Sequence, residues 1–592
     1  MAQQQTFQTG YTELRDIRKR SRKIYWLIGL FSFFVNLLML TGPLYMMQVY
    51  DRVLGSRSEA TLVALSLLVA FLYAMMGLLD YSRGRLLARV AARFQTALDR
   101  RVFDAMIRRT AQAPDPVAQT GLADLEAVQR LMASPVLGAA FDLPWTPIFF
   151  AGIALFHPWL GLLALGGGIV LVAIAILNQL FSRNPQQKAG QSGHKANLMS
   201  EEIRVESEMI QAMGMRDAAF ERWALARRTA LHDSMRATDT GGSFTTLAKT
   251  IRLFLQSAML GLGAYLVLQG EVSPGSIIAG SILMGRALAP IELGLGQWLL
   301  VQRANKGWHS LAELLAKVPP EARRTALPAP KALLTVQGLA VAPPGEKQVS
   351  LRNVSFQVKP GQAVGIIGPS GSGKSTLARA LTGVWRPATG TIRLDGASID
   401  QYTPKVLGQH IGYLPQRVQV FDGTIAQNIA RLEQEPDSEK VVAAAKKASA
   451  HDMIVKLPNG YDSLVNSGGG RLSGGQMQRI GLARALYDDP VIVILDEPNS
   501  NLDNEGSIAL NTAIKTLKSQ GKSVLIMAHR PAAIQECDML LVIENGTMTA
   551  FGPKDQVLRE KTGNAQKPKA PAKKTVPPAQ PAPQQQNNTG AV

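Results

Sequence analysis

The residues with the most pointed chemistry are Gly368-Pro369-Ser370-Gly371-Ser372-Gly373-Lys374-Ser375, which follow the apolar run 363–367 and precede a helix-forming run from Thr376. Glycines at this spacing let backbone N–H groups close around phosphate oxygens, and the helix start that follows adds positive potential. Lys374 is placed to reach the β- and γ-phosphates of a nucleotide, and Ser375 to bind Mg²⁺ through its hydroxyl. A second apolar run, 491–495, ends in Asp496-Glu497-Pro498. Such a run describes a buried strand that delivers its acids to the sheet edge where α/β folds bind ligands. Asp496 would hold Mg²⁺, directly or through water, and Glu497 would polarise the attacking water. Between the two lies Leu472-Ser473-Gly474-Gly475-Gln476. Small residues at a helix start expose N–H groups and a hydroxyl to an anion, although a plain Gly-rich turn would read the same.

These residues need a scaffold, and from Leu333 to about Leu558 short β-rich runs alternate with helical ones, the pattern of an α/β domain. Apolar content is concentrated before about residue 300, in six stretches at 24–47, 60–81, 137–156, 159–180, 250–269 and 274–295. Runs of about 20 residues match the ~30 Å hydrocarbon thickness at ~1.5 Å per residue. The expected fold class is a multi-domain membrane protein, an all-α six-helix domain followed by an α/β P-loop domain. Expected bounds are a cytoplasmic N-terminal segment 1–23, membrane domain 24–315, linker 316–332, nucleotide domain 333–560 and a disordered Pro/Ala/Lys/Gln-rich tail 561–592.

The stretches form three hairpins with short external turns at 48–59, 156–158 and 269–273. The long segments between hairpins carry Arg83, Arg85, Arg89, Arg93, Arg100, Arg101, Arg108 and Arg109, then Arg204, Arg216, Arg222, Arg227 and Arg228. By the positive-inside rule these segments, and both termini, lie in the cytoplasm. The same distribution accounts for the net charge of +19 without a nucleic-acid partner. Helical periodicity in these segments predicts membrane helices that continue far into the cytoplasm. The first apolar run is too long for a signal-peptide core and should remain as an anchor. The single cysteine, Cys537, rules out an internal disulfide or a multi-cysteine metal site.

Leu472-Ser473-Gly474-Gly475-Gln476 resembles the signature of ABC transporter ATPases, and other elements follow in that family's order. Gln416 after Tyr413-Leu414-Pro415 resembles the Q-loop, Ser500-Asn501-Leu502-Asp503 the D-loop, and His529 the switch histidine. Alone, His529 would read as a structural histidine at a strand end. The resemblance implies ATP and Mg²⁺ as cofactors, catalytic roles for Glu497, His529, Lys374 and Gln416, and a place for Gln416 at the metal. It also implies two nucleotide domains bound head to tail, with ATP between one subunit's phosphate loop and the other's Ser473-Gly474-Gly475-Gln476 and Asp503, hence a homodimer or paired half-transporter.

Six spans followed by the ATPase resemble an ABC exporter transmembrane domain joined to its nucleotide domain. Ala342-Pro343-Pro344-Gly345 takes the place of the usual adenine-stacking aromatic. Together with Gly383-Val384-Trp385-Arg386-Pro387 and 498–503, it looks like the type I secretion branch that exports metalloproteases and related RTX proteins. Asn501 and Ser467 depart from the wider family's Ala and Glu. With the first span near residue 24 and one cysteine in the ATPase domain, a leader-peptidase domain is not expected, which favours substrates with uncleaved C-terminal signals. The resemblance implies location in the inner membrane among lipids, a periplasmic adaptor, an outer-membrane channel and a secreted polypeptide as partners. A lipid or drug half-exporter shares the same motifs, and a soluble chromosome-maintenance ATPase is motivated by charge alone. Arg286 and Glu292, on either side of Pro290 in the sixth run, either face a translocation path or pair structurally.

Overall fold

The computed structural model describes residues 2–113, 115–321, 324–346, 348–466, 472–500, 502, 504–529 and 531–565. It divides into two units, Met1–Glu321 and Ala322–Val592.

In the first unit, six helical segments among the described residues are long and apolar enough to cross a membrane: Arg22–Ser56, Glu59–Gln112, Pro135–Phe156, Pro158–Val205, Arg216–Leu268 and Pro274–Gly296. The second, fourth and fifth run unbroken for 54, 48 and 53 residues. At ~1.5 Å per residue the longest reaches about 80 Å, more than twice the hydrocarbon thickness. The second, fourth and sixth spans start with side-chain caps: Ser58 Oγ accepts from Thr61 N at 3.3 Å, His157 Nδ1 from Trp159 N at 3.3 Å and Ser273 Oγ from Ser276 N at 3.3 Å. Pro158 and Pro274 stand in the first turn, where the missing N–H costs nothing.

The turn between the first two spans is shorter than the expected 48–59. Helical structure continues through a π-helical stretch, Val49–Val53, to Ser56, and Arg57 turns the chain with φ +52°. The stretch is held from the sixth span: Asp51 accepts from Gly275 N at 2.9 Å and Ser273 Oγ at 2.7 Å. The third span bends at a 3₁₀ turn, Leu143–Trp145, that contains Pro144.

Several polar groups within this unit pair across helices. Arg83 donates to Asp142 at 2.7 Å and Ser32 Oγ at 3.0 Å and lies 2.7 Å from Asp80, while Asn36 donates to Asp142 at 2.7 Å. The network ties the first three spans together, with Arg83 and Asp142 largely buried. Glu292 meets Arg252 of the fifth span at 3.2 Å. The N-terminal helix Ala2–Arg20 buries Leu14. Its Gly10 lies so close to the helix Trp298–Lys317 that a Cβ would strike the Ala312 carbonyl oxygen.

The second unit is built on twelve described strands: β1 Leu334–Val341, β2 Leu351–Val358, β3 Ala363–Ile367, β4 Thr389–Leu394, β5 Ala397–Ser398, β6 Ile411–Leu414, β7 Gly423–Thr424, β8 Leu464–Val465, β9 Ile492–Asp496, β10 Ser523–Ala528, β11 Met539–Glu544 and β12 Thr547–Pro553. Ten form one sheet in the order β5-β4-β1-β2-β12-β11-β3-β10-β9-β6, and β7 pairs with β8. β11, β3, β10, β9 and β6 run parallel, so their C-terminal ends share one edge. These strands are buried on both faces, which explains their near-continuous apolar sequences. Val493 and Leu495 pack into one core with Leu414 and Ile480, and Ile492 and Ile494 into the other with Val336 and Leu377. The period-2 alternation of side chains divides them.

Candidate functional site

The loops after β3, β6, β9 and β10 leave that shared strand edge and carry most of the residues singled out by chemistry. The phosphate loop follows β3 and opens the helix Lys374–Leu381. Gly373 stands at φ +102°, where an added Cβ would lie 2.7 Å from Leu351 Cδ2, and a Cβ at Gly368 would strike the Ile543 carbonyl oxygen. Both positions therefore need glycine. Gly371 has φ +77°, while Pro369, Ser370 and Thr376 complete the loop and the helix start. Lys374 is 5 % exposed and folds back onto its loop, its Nζ donating to the Gly368 and Pro369 carbonyls at 2.9 Å each. Burial lowers its pKa, against the opposing pull of Glu497 and Asp496.

β9 delivers Asp496, 3 % exposed, into contact with the Ser375 hydroxyl. Burial raises the Asp496 pKa, Ser375 opposes the shift and Glu497 adds to it. Asp496 Oδ1 and Ser372 Oγ are buried without a hydrogen-bond partner among the described residues. Orphaned oxygens of this kind are costly unless a ligand satisfies them. A hydroxyl and a raised carboxylate beside an unpartnered oxygen fit a hard divalent cation that takes its remaining ligands from phosphate and water. Among the described residues no group of three His, Cys, Asp or Glu could hold a metal unaided.

Glu497 closes β9 with φ +52°, a conformation rare for a residue with a side chain. The turn aims its carboxylate between two neighbouring loops. Gln416, after β6, donates to Oε2 at 2.9 Å, and His529 Nε2, after β10, lies 2.8 Å from Oε1. Gln416 thus bonds Glu497. Gln416, Glu497 and His529 form one cluster beside the phosphate loop, able to orient a carboxylate toward a water at a bound γ-phosphate.

Ser473 begins the helix Gly474–Leu486 through a capping box, its Oγ accepting from Gln476 N at 3.3 Å while Gln476 Oε1 accepts from Ser473 N at 2.9 Å. Ser473 and Gly474 are exposed. No hydrogen bond among the described residues joins Ser473, Gly474, Gly475 or Gln476 to the phosphate loop of the same chain. Pro343 lies in the turn after β1, where Glu346 N donates to its carbonyl at 3.0 Å. Asp503, Asn501 and Ser467 lie outside the described residues.

Sequence reasoning missed what holds the Gln416 loop. Asn428, fully buried, accepts from Phe421 N at 2.8 Å and donates to the Phe421 and Thr424 carbonyls at 2.8 and 3.1 Å. Arg484, on the helix that Ser473 begins, donates to Asn428 O at 2.7 Å, Asn428 Oδ1 at 2.8 Å and Gln419 O at 2.9 Å, and covers the Phe421 ring. One side chain thereby ties the loop after β6 to the helix at the other motif. The available signal was a lone arginine among Ile480, Leu482, Ala483 and Leu486.

Comparison with known proteins follows the same two-part division. Residues 25–289 match the ABC transporter transmembrane region and residues 351–500 the ABC transporter family model. The chain is 45 % identical over 536 residues to the type I secretion system ATP-binding protein PrsD of Rhizobium meliloti (strain 1021), covering 90 % of this chain and 91 % of that one. It is 28 % identical over 550 residues to the leukotoxin translocation ATP-binding protein LktB of Mannheimia glucosida, covering 92 % and 77 %. In fold it is similar to a bacterial Atm1-family ABC exporter solved with ATP bound, with TM-score 0.77, 22 % identity and coverage of 93 % and 99 %. A phosphate loop, a strand-end acid pair and a signature helix behind six candidate spans, together with 45 % identity to PrsD over nine-tenths of both chains, place this ATPase among the ABC transporters, in the group of type I secretion ATP-binding proteins.

Proposed function

We propose that this chain is the ABC component of a type I secretion system, using ATP to drive polypeptides across the cytoplasmic membrane, with RTX-type proteins bearing uncleaved C-terminal signals as its cargo. The carrying observation is the 45 % identity to PrsD through both the membrane and the nucleotide units. A lipid or drug exporter is less supported by these relatives.

In this reading two copies close on ATP. Ser473 and Gly474 are exposed and, among the described residues, have no hydrogen bond to their own phosphate loop, which suits a role opposite the loop of a second copy. The backbone of Gly368–Gly373 cradles phosphates, and Lys374 exchanges its carbonyl partners for β- and γ-phosphate oxygens. Ser375 and Asp496, with Gln416, would hold Mg²⁺, which when bound neutralises charge on the β- and γ-phosphate oxygens. Glu497, steadied by Gln416 and His529, takes the proton of the attacking water. Asp503 would reach the second copy. Positive charge between the hairpins sets both termini and the nucleotide unit in the cytoplasm, in the inner membrane. A periplasmic adaptor and an outer-membrane channel complete the path, as the type I relatives suggest.

The test is deletion of the gene in its host and analysis of the culture medium. Specific polypeptides should disappear and return with the wild-type gene but not with Glu497→Gln. Unchanged secreted proteins with altered membrane lipids would overturn the reading in favour of a lipid exporter.

A further inference from the structure

Exposed faces of the membrane unit are of two kinds. The second span presents Leu62, Val63, Leu67, Leu68, Phe71 and Leu78, the composition expected against acyl chains. The sixth span is different. Among the described residues no large hydrophobic side chain is exposed between Leu268 and Leu299, and the exposed positions of Pro274–Gly296 are Pro274, Arg286, Ala289 and Gly296.

Arg286 stands twelve residues into this helix, about 18 Å along its axis and near the middle of a ~30 Å hydrocarbon layer. No hydrogen bond or ion pair reaches it among the described residues. Glu292 is about 240° around the helix from Arg286, and it is already engaged by Arg252. A guanidinium at this depth is strongly disfavoured against lipid, so this face must meet water or protein. Tight contact of the face with its own symmetry copy would set cation against cation. The face therefore suits a wet space that a passing chain can enter, with the small, exposed Ala289 one turn away from the guanidinium.

We propose that Arg286 binds carboxylate side chains of the polypeptide in transit, giving the path a preference for acidic stretches. An arginine fork matches a carboxylate with two parallel hydrogen bonds, which a neutral amide cannot reproduce. This rests on the export reading above, but the two are tested separately.

The experiment uses the full chain in lipid nanodiscs, without nucleotide, and unstructured Gly/Ser peptides carrying regularly spaced Asp, Asn or Lys, followed by fluorescence anisotropy. Wild type should bind the Asp peptide roughly tenfold more tightly than the Asn peptide, one charge-assisted contact's worth. Arg286→Gln should erase that preference, Arg286→Lys keep part of it, and Arg286→Glu transfer it to the Lys peptide, with basal ATPase unchanged throughout. Equal binding of Asp and Asn peptides by wild type, or an undiminished preference in Arg286→Gln, overturns the proposal. If the Gln variant does not assemble, the Lys and Glu variants decide: an Asp preference surviving in Arg286→Glu is equally fatal. Failure of the export reading appears in the secretion assay, failure of this one in the peptide preference.

Discussion

The phosphate site of the nucleotide unit and the polar cluster joining the first three spans of the membrane unit treat their buried polar groups in opposite ways. In the nucleotide unit, Asp496 Oδ1 and Ser372 Oγ lack partners among the described residues and Lys374 rests on carbonyls of its own loop. In the membrane unit, Arg83, Asp142, Asn36 and Ser32 satisfy one another, as do Asp51 and the start of the sixth span. The first arrangement is held ready for a ligand, and the second holds helices together. A polar group at the phosphate site should therefore affect chemistry more than stability when removed, and one in the membrane network the reverse.

The sharpest test of that contrast is Glu497→Gln. Hydrolysis should fall by about 10²-fold or more with ATP binding retained, since loss of a general base removes that much. The melting temperature should barely move. Near-normal turnover would undo the assignment. Next is Arg83→Leu, which leaves Asp142 buried without its cation and should cost about 3 kcal/mol, read as a thermal shift in detergent. Replacing both partners, Arg83→Met with Asp142→Leu, should recover most of that loss. If Arg83→Leu melts like wild type yet loses ATPase activity, the contrast is wrong.

Lys374→Ala should weaken ATP binding by roughly tenfold or more, the loss of a charge-assisted hydrogen bond, as measured by nucleotide titration. Undiminished affinity would count against the phosphate-loop role. A smaller effect concerns pH. Burial raises the Asp496 pKa, so its carboxylate takes up a proton at a higher pH than an ordinary aspartate. Metal binding needs the charged form, so the Mg²⁺ concentration for half-maximal ATPase should rise as pH falls from neutral toward 5. The sign is fixed by the raised value. A requirement independent of pH would place the metal elsewhere.

What could be read from the residues divides along the same line. The phosphate loop is contiguous, and its glycines, lysine and serine announce themselves without a fold. Strand-end acids are nearly as plain, because apolar runs of this length ending in carboxylates have few other uses. The six spans follow from helix rise and bilayer thickness. Pairings across the sequence were not legible: Arg83 lies 59 positions from Asp142, Asp51 lies 224 from Gly275, and Arg484 lies 56 from Asn428. Each depends on which helix packs on which, information that no local pattern contains. The first external turn was overestimated because a π-helical stretch has the same local composition as a loop, and what holds it comes from a distant span.

The positive φ of Glu497 has a consequence for how this residue tolerates change. Every side chain at that position sits against a steric gradient that only glycine escapes, so Glu497→Gly should be more stable than Glu497→Ala by about 1 kcal/mol. Both variants should be hydrolytically dead. A position where the chemically useful residue is the conformationally uncomfortable one drifts, once hydrolysis is no longer selected, toward inactive but sturdier descendants.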